Sequence, residues 1–352
     1  GTGTDDALVV NTTDDPEIVT VTGTTVQIEG APTASYSSFT ALTVNTAGGA
    51  DMAAFVDTHV GRTGLDTGAD GDTLTIYTTS GEFSASTGNG DDTLDVRAIS
   101  ADATINLGEG NDTSNVSSDA PINLGTANDI AARLTVEGDM GTDTLNVTDA
   151  DGGDGILTQE DLTGLGMASG LAYTGMEALN ITLGAGSDDF TIESTHTGET
   201  FLATGAGDDT VTVGLPVPED GRNLDYINGP LTIIGGSGSD TLTVDDSGEQ
   251  DPEEGGLTGT ALSGLGQAGA IAYEGIEELD ILLGLGDDIF TVEGTHANAT
   301  AIETGAGGDT VTVEVISGET AIGTAEGADQ VNIQTIGAAM TVNAGGDDDT
   351  IN

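Results

Sequence analysis

The 352-residue sequence has no cysteine, no tryptophan and no lysine, and its only basic side chains are the four arginines Arg62, Arg97, Arg133 and Arg222. Without cysteine there is no disulfide framework, thiolate metal site or thiol nucleophile. With 61 acidic residues the net charge is -57, which excludes binding to nucleic acid or to an anionic membrane surface, since both need basic side chains to neutralise phosphates. No apolar run approaches the roughly 18 residues of a membrane span. Gly1 to Asp6 carry neither a signal peptide nor a start methionine, so the chain reads as a mature product or an excised segment. Aromatics make up 3% of residues, which suits a narrow interior, and a chain so acidic attracts cations.

What is abundant is glycine, 56 residues, and it is periodic. A unit Gly-x-Gly-x-Asp-x-apolar-x-apolar reads GNGDDTLDV from Gly88, GAGDDTVTV from Gly205, GLGDDIFTV from Gly284 and GAGGDTVTV from Gly305. Its fifth position recurs at Asp5, Asp51, Asp72, Asp92, Asp112, Asp129, Asp143, Asp188, Asp209, Asp240, Asp288, Asp309, Asp329 and Asp349, with spacings clustered at 20 and 21 and gaps of 45 to 48. A period of 20 is too short for a strand-helix-strand unit and suits one coil of a parallel β-solenoid. Leu94 and Val96, then Ile105 and Leu107, alternate with polar residues as two strands, each with one face inward. The fold class is therefore all-β, a parallel β-solenoid without a helical domain, with two or three sheets around a thin aliphatic core. About 17 coils at roughly 4.8 Å each would make a rod of about 80 Å.

A longer repeat lies over the first. The sequence GMASGLAYTGMEALNITLGAGSDDFTIESTHTGET from Gly166 returns from Gly266 as GQAGAIAYEGIEELDILLGLGDDIFTVEGTHANAT, and a fainter copy includes Tyr36, Phe55 and His59. One continuous solenoid over 1–352 then divides into superrepeats of roughly 1–137, 138–234 and 235–352. Acidic excursions near 148–165 and 245–265 are expected to loop out. Both ends fall inside a motif, so the sequence reads as part of something longer.

Stacking the coils puts each fifth-position aspartate above the next, a repulsive column unless counter-ions sit in it. Gly-rich turns can aim backbone carbonyls at the same place, and hard oxygen ligands favour calcium over zinc or copper. The candidate calcium ligands are Asp72, Asp92, Asp112, Asp188, Asp209, Asp240, Asp288, Asp309 and Asp349. Their partners would be the backbone carbonyls of Gly88, Gly90, Gly108, Gly110, Gly184, Gly186, Gly205, Gly207, Gly284, Gly286, Gly305 and Gly307. Asp5, Asp51, Asp129, Asp143 and Asp329 extend the series; Asp129, Asp143 and Asp329 follow Ala127, Asp139 and Ala325 where glycine is expected. The competing reading is that aspartate caps the following strand through local hydrogen bonds.

The motif resembles the glycine- and aspartate-rich nonapeptide of the repeats-in-toxin (RTX) proteins, Gly-Gly-x-Gly-x-Asp-apolar. That resemblance implies a calcium-bound β-roll, with calcium along one edge only, because the opposite turns (ISAD, THTGET, ISGET) lack the motif. The superrepeat is similar to arrays in very large bacterial secreted and surface proteins, which implies export and a stalk, matrix or filament role at the cell surface or outside the cell. The partners implied are flanking repeats or further copies, with glycans or a surface as further possibilities.

Other features point less far. His59, His196 and His296 recur with the superrepeat and read as turn residues rather than one metal site. Asp149, Asp151, Asp154 and Glu160 lack the flanking helices of a helix-loop-helix calcium site. No triad spacing or phosphate-cradling loop is identifiable, and four scattered arginines do not equip a polysaccharide-cleaving β-helix, so no enzymatic activity is expected. Thr-x-Thr pairs (Thr73/Thr75, Thr210/Thr212, Thr241/Thr243, Thr310/Thr312) allow an alternative, an ice-binding or other surface-binding face, although threonine is also what a solvated strand favours.

Overall fold

The computed structural model describes residues 6–122, 124–217 and 221–352, and among them every regular element is a strand. The fold is a parallel β-solenoid. By its internal contacts the chain forms two units, 1–151 with 160–182, and 152–159 with 183–352.

In the first unit two parallel sheets stack coil on coil. One contains Ala7–Asn11, Ala41–Asn45, Arg62–Asp66, Phe83–Asn89, Ala103–Gly110, Leu134–Glu137 and Leu171–Thr174. The other contains Ile18–Val21, Met52–Phe55, Thr73–Ile76, Thr93–Val96, Thr113–Val116 and Thr144–Asp149. Register keeps like over like, Leu74 beside Leu94 and Ile76 beside Val96. Alternate residues therefore form continuous buried columns, in which Val21, Phe55, Ile76, Val96 and Val116 are all fully buried. Columns of this kind replace a globular core, so each coil depends on its neighbours for the burial of its apolar face.

The second unit repeats the plan. One sheet runs through Gly155–Leu157, Asp189–Ile192, Thr210–Val213, Thr241–Asp245, Glu278–Leu282, Ala299–Glu303, Thr320–Gly323 and Met340–Asn343. Opposite it, Glu199–Ala206, Leu231–Ser237 and Ile271–Glu274 stack in parallel. Ala261–Gly264 then pairs antiparallel with both Ile271–Glu274 and Glu254–Leu257. From Glu254–Leu257 the parallel order resumes through Ile289–Val292, Thr310–Val313, Gln330–Ile333 and Thr350–Ile351.

Parts of the acidic stretches join the sheets: between 245 and 265 the segments Glu254–Leu257 and Ala261–Gly264 are strands while 246–253 connects them to Thr241–Asp245, and Thr25–Ile28 and Asp161–Gly164 occupy comparable antiparallel positions in the first unit. Leu257, Leu262 and Leu265 are buried, as are Leu157, Leu162 and Leu165. Glycines and threonines between these leucines hide an apolar pattern that burial makes plain. Coil length also varies, since Asp112 to Asp143 and Asp209 to Asp240 are 31-residue steps.

Candidate cation site: three carboxylate columns

Each column aspartate immediately precedes a strand, as Asp72 precedes Thr73–Ile76. Its Oδ1 accepts the backbone N–H of the residue one coil back. In the first unit Asp51 accepts from Glu17 (2.8 Å), Asp72 from Asp51 (2.8 Å), Asp92 from Asp72 (2.7 Å), Asp112 from Asp92 (2.8 Å) and Asp143 from Asp112 (2.8 Å). Glu177 closes that column, accepting from the Asp143 N–H at 2.7 Å.

In the second unit one column starts with Gly153 donating to Asp188 (2.6 Å). It continues through Asp209 and Asp240 and ends when the Asp240 N–H donates to Glu277 at 3.0 Å. A third starts with Glu253 donating to Asp288 (2.8 Å) and runs through Asp309 and Asp329 to Asp349. The aspartates are therefore clamps between coils. The competing expectation of local capping is replaced by a bond spanning 20 or more residues.

The second carboxylate oxygen is what distinguishes these residues chemically. The Oδ2 atoms of Asp112, Asp143, Asp188, Asp209, Asp240 and Asp329 are buried and accept no hydrogen bond, in residues no more than 4% exposed, whereas the carboxylates of Asp51, Asp72 and Asp92 have the hydroxyls of Thr46, Thr67 and Thr87 beside them. The Asp309 Oδ2 instead accepts from the Thr304 hydroxyl. Burial, reinforced by the neighbouring carboxylates, pushes Asp72, Asp112 and Asp288 up to about 6. Burial likewise raises Asp51, Asp92, Asp143, Asp188, Asp240 and Asp309. Hydroxyls of Thr46, Thr67 and Thr87 lean the other way at Asp51, Asp72 and Asp92 without cancelling the effect of burial.

The glycines answer a different demand from the one expected of them. A Cβ on Gly108 would lie 1.9 Å from the Gly88 carbonyl oxygen, on Gly110 1.8 Å from that of Gly90, on Gly141 1.4 Å from that of Gly110 and on Gly207 1.6 Å from that of Gly186. The carbonyls of Gly184, Gly205, Gly207, Gly284, Gly286 and Gly307 abut the next coil in the same way. These carbonyls point along the stack at the glycine above. The Gly184 carbonyl also accepts the Ala206 N–H at 2.9 Å. Glycine is needed because the next carbonyl occupies the place of its Cβ and because φ is positive, +99° at Gly108. Where the sequence has no glycine the backbone keeps the same bend, with Ala47, Asp139 and Ala325 at φ of 74°, 70° and 51°. Asp143 and Asp329 accordingly join their columns despite the imperfect motif.

Asp129 does not join. It is exposed, and its carbonyl accepts the Ile99 N–H on the opposite turn, because the 31-residue step carries extra chain there. Asp5 lies outside the described residues. Asp349, the last acceptor of the third column, is half-buried.

The opposite edge carries hydroxyls, a pattern that the sequence reading missed. Thr58 Oγ1 accepts the N–H groups of Ser80 and Gly81, Thr79 those of Ser100 and Ala101, Thr195 those of Asn228 and Gly229, and Thr295 those of Ser317 and Gly318. Threonine positions in YTTSG and THTG were the available signal. The clamps between coils are thus carboxylates on one edge and hydroxyls on the other. Tyr36 packs on His59 and Tyr273 on His296, each pair with ring centroids 5.8 Å apart, and the Thr200 hydroxyl lies 3.4 Å from His196 Nδ1, so each histidine has a partner in its own superrepeat.

On the Thr-x-Thr face, Thr73, Thr93, Thr113 and Thr144 align. The next position passes from Thr75 to Asp95 and Asn115, both buried, and Asn180, Asn146, Asn115 and Asp95 form a side-chain ladder with bonds of 2.9 to 3.0 Å. The rank of hydroxyls is therefore interrupted. Off the columns, Asp225, Glu249 and Glu253 bring carboxylate oxygens within 4.8 Å of one another. Beside them burial and the Glu253 charge push Asp246 up to about 9.

No family model matches the chain, and no curated protein matches it. Among solved structures it is similar to a hyperactive, Ca2+-dependent, β-helical antifreeze protein from an Antarctic bacterium, at 18% identity over 88% of this chain and 78% of that one, with a TM-score of 0.22. A superposition so loose transfers no property from that protein to this one.

Proposed function

We propose that this chain is a calcium-stabilised structural segment of an exported extracellular or cell-surface protein, an RTX-like stalk, matrix or filament element without a catalytic role. The observation that carries the reading is the set of buried Oδ2 atoms without a hydrogen-bond donor. Near pH 7 even the carboxyls raised to about 6 are mostly ionised. A buried anion without a partner costs several kcal/mol, so the folded column calls for cations.

The donors are carboxylate oxygens in a protein without thiolates, a set suited to calcium; magnesium, which keeps its waters, fits a closely stacked column less well. Ligand that binds only the folded state stabilises it by mass action. At low cytosolic calcium the charge of -57 opposes compaction and weakens the folded stack. At millimolar calcium outside the cell the columns are neutralised and the coils stack.

Far-ultraviolet circular dichroism of the purified chain, titrated at pH 7 from chelator into millimolar calcium with magnesium as control, tests this. The expected result is a gain of β signal, or of melting temperature, specific to calcium. Full β structure in chelator, with a melting temperature unmoved by calcium, would overturn it.

A further inference from the structure

Resting on the calcium reading above, we infer that the chain takes up calcium in three separate cooperative blocks, one for each column. Inside a column every interior aspartate is engaged twice. Asp209 accepts the Asp188 N–H at 2.9 Å and donates its own N–H to Asp240 at 3.0 Å, and Asp92 does the same between Asp72 and Asp112. A cation on Oδ2 fixes the carboxylate whose Oδ1 holds the neighbouring coil, so occupancy of one rung orders the rungs beside it.

Charge couples the same residues. Asp92 and Asp51 both act on Asp72, Asp92 and Asp143 both act on Asp112, Asp209 acts on Asp188 and on Asp240, and Asp329 acts on Asp309. The residues linked by these hydrogen bonds thus also lie within reach of one another's charge, and the hydrogen-bond relay carries the coupling from rung to rung.

The relay has ends. Glu177 accepts the last N–H of the first column and Glu277 that of the second, while Glu17, Gly153 and Glu253 donate the first. Within the second unit the second column leads the strands Asp189–Ile192, Thr210–Val213 and Thr241–Asp245, which belong to one sheet. The third leads Ile289–Val292, Thr310–Val313 and Gln330–Ile333, which belong to the other. The antiparallel strand Ala261–Gly264 lies in the sheet that the third column joins. Hydrogen bonds running Asp to Asp do not cross from Asp240 to Asp288, since Glu277 takes the place of a further aspartate.

Hydrogen exchange read by mass spectrometry on the full chain, in chelator and in saturating calcium, tests the division. In the parent, calcium should slow exchange in all three sets of strands by about tenfold or more. Asp209→Asn, which keeps an oxygen for the Asp188 N–H, should lose that slowing across Asp189–Ile192, Thr210–Val213 and Thr241–Asp245 while retaining it over Thr93–Val96 and Thr310–Val313. Asp92→Asn should give the reciprocal pattern, with loss confined to the first column, and serves as the second test should Asp209→Asn fold poorly. Loss confined to the mutated coil would make the rungs independent and overturn the proposal, and loss in all three columns from both variants would make the chain one unit and overturn it equally. Absence of calcium-dependent slowing in the parent would instead sink the calcium reading itself.

Discussion

Acid should stabilise the cation-free chain. Burial and the neighbouring carboxylates raise Asp72, Asp112 and Asp288 from 3.8 to about 6, so the folded state binds these protons more tightly than the unfolded state does. Stability from such groups is fully present below about pH 4 and is lost as pH rises through about 6. A rise of this size corresponds to about 3 kcal/mol per carboxyl. Three independent groups would contribute roughly 9 kcal/mol, and shared charge makes the true sum smaller. At about 2–4 °C per kcal/mol for chains of this size, the melting temperature in chelator should fall by about 10 °C or more between pH 4.5 and 7.5.

Melting followed by circular dichroism at constant ionic strength reads this directly. Relief of general repulsion acts in the same direction, so the column is isolated by Asp72→Asn, which should flatten the profile and raise stability at pH 7 in chelator. Asp66→Asn at an exposed position off the columns should leave the profile unchanged. A melting temperature that rises with pH in chelator, or a profile identical in the two variants, would refute the reasoning. In calcium the dependence should weaken, because the ion takes the place of the proton.

Two further predictions concern the stack itself. Gly108→Ala sets a Cβ 1.9 Å from the Gly88 carbonyl oxygen at a φ of +99° and should cost more than about 2 kcal/mol in denaturant unfolding, whereas Gly346→Ala, with open space at its Cβ, should stay within about 1 kcal/mol. Thr79→Val deprives the Ser100 and Ala101 amides of their shared acceptor and should cost about 1–3 kcal/mol, while Thr75→Val on the half-buried outward face should cost within about 0.5 kcal/mol.

Period alone settled the architecture. Twenty residues with two alternating apolar pairs leave room for two short strands and two turns, and Leu94, Val96, Ile105 and Leu107 lie in the core that this implies. The stacking of Asp72, Asp92 and Asp112 follows from the same arithmetic, because identical coils in register put identical residues together. What period cannot reveal is which atom faces what. Oδ1 clamping the next coil, Oδ2 buried alone and glycine carbonyls directed along the stack all depend on the pitch between coils, a property of neighbours rather than of any one repeat.

Irregular coils were beyond the sequence for the same reason. Asp129 fits the motif spacing loosely, yet the 31-residue step from Asp112 to Asp143 places it on the other edge. Leu257, Leu262 and Leu265 are diluted by glycine and threonine, and only their burial against neighbouring strands shows that part of the acidic stretch belongs to the sheet. Composition and period thus determined the fold class, the cation-seeking charge and most column members. The tertiary structure decided where each column begins and ends, since a terminus such as Glu277 is defined by the N–H it receives from another coil.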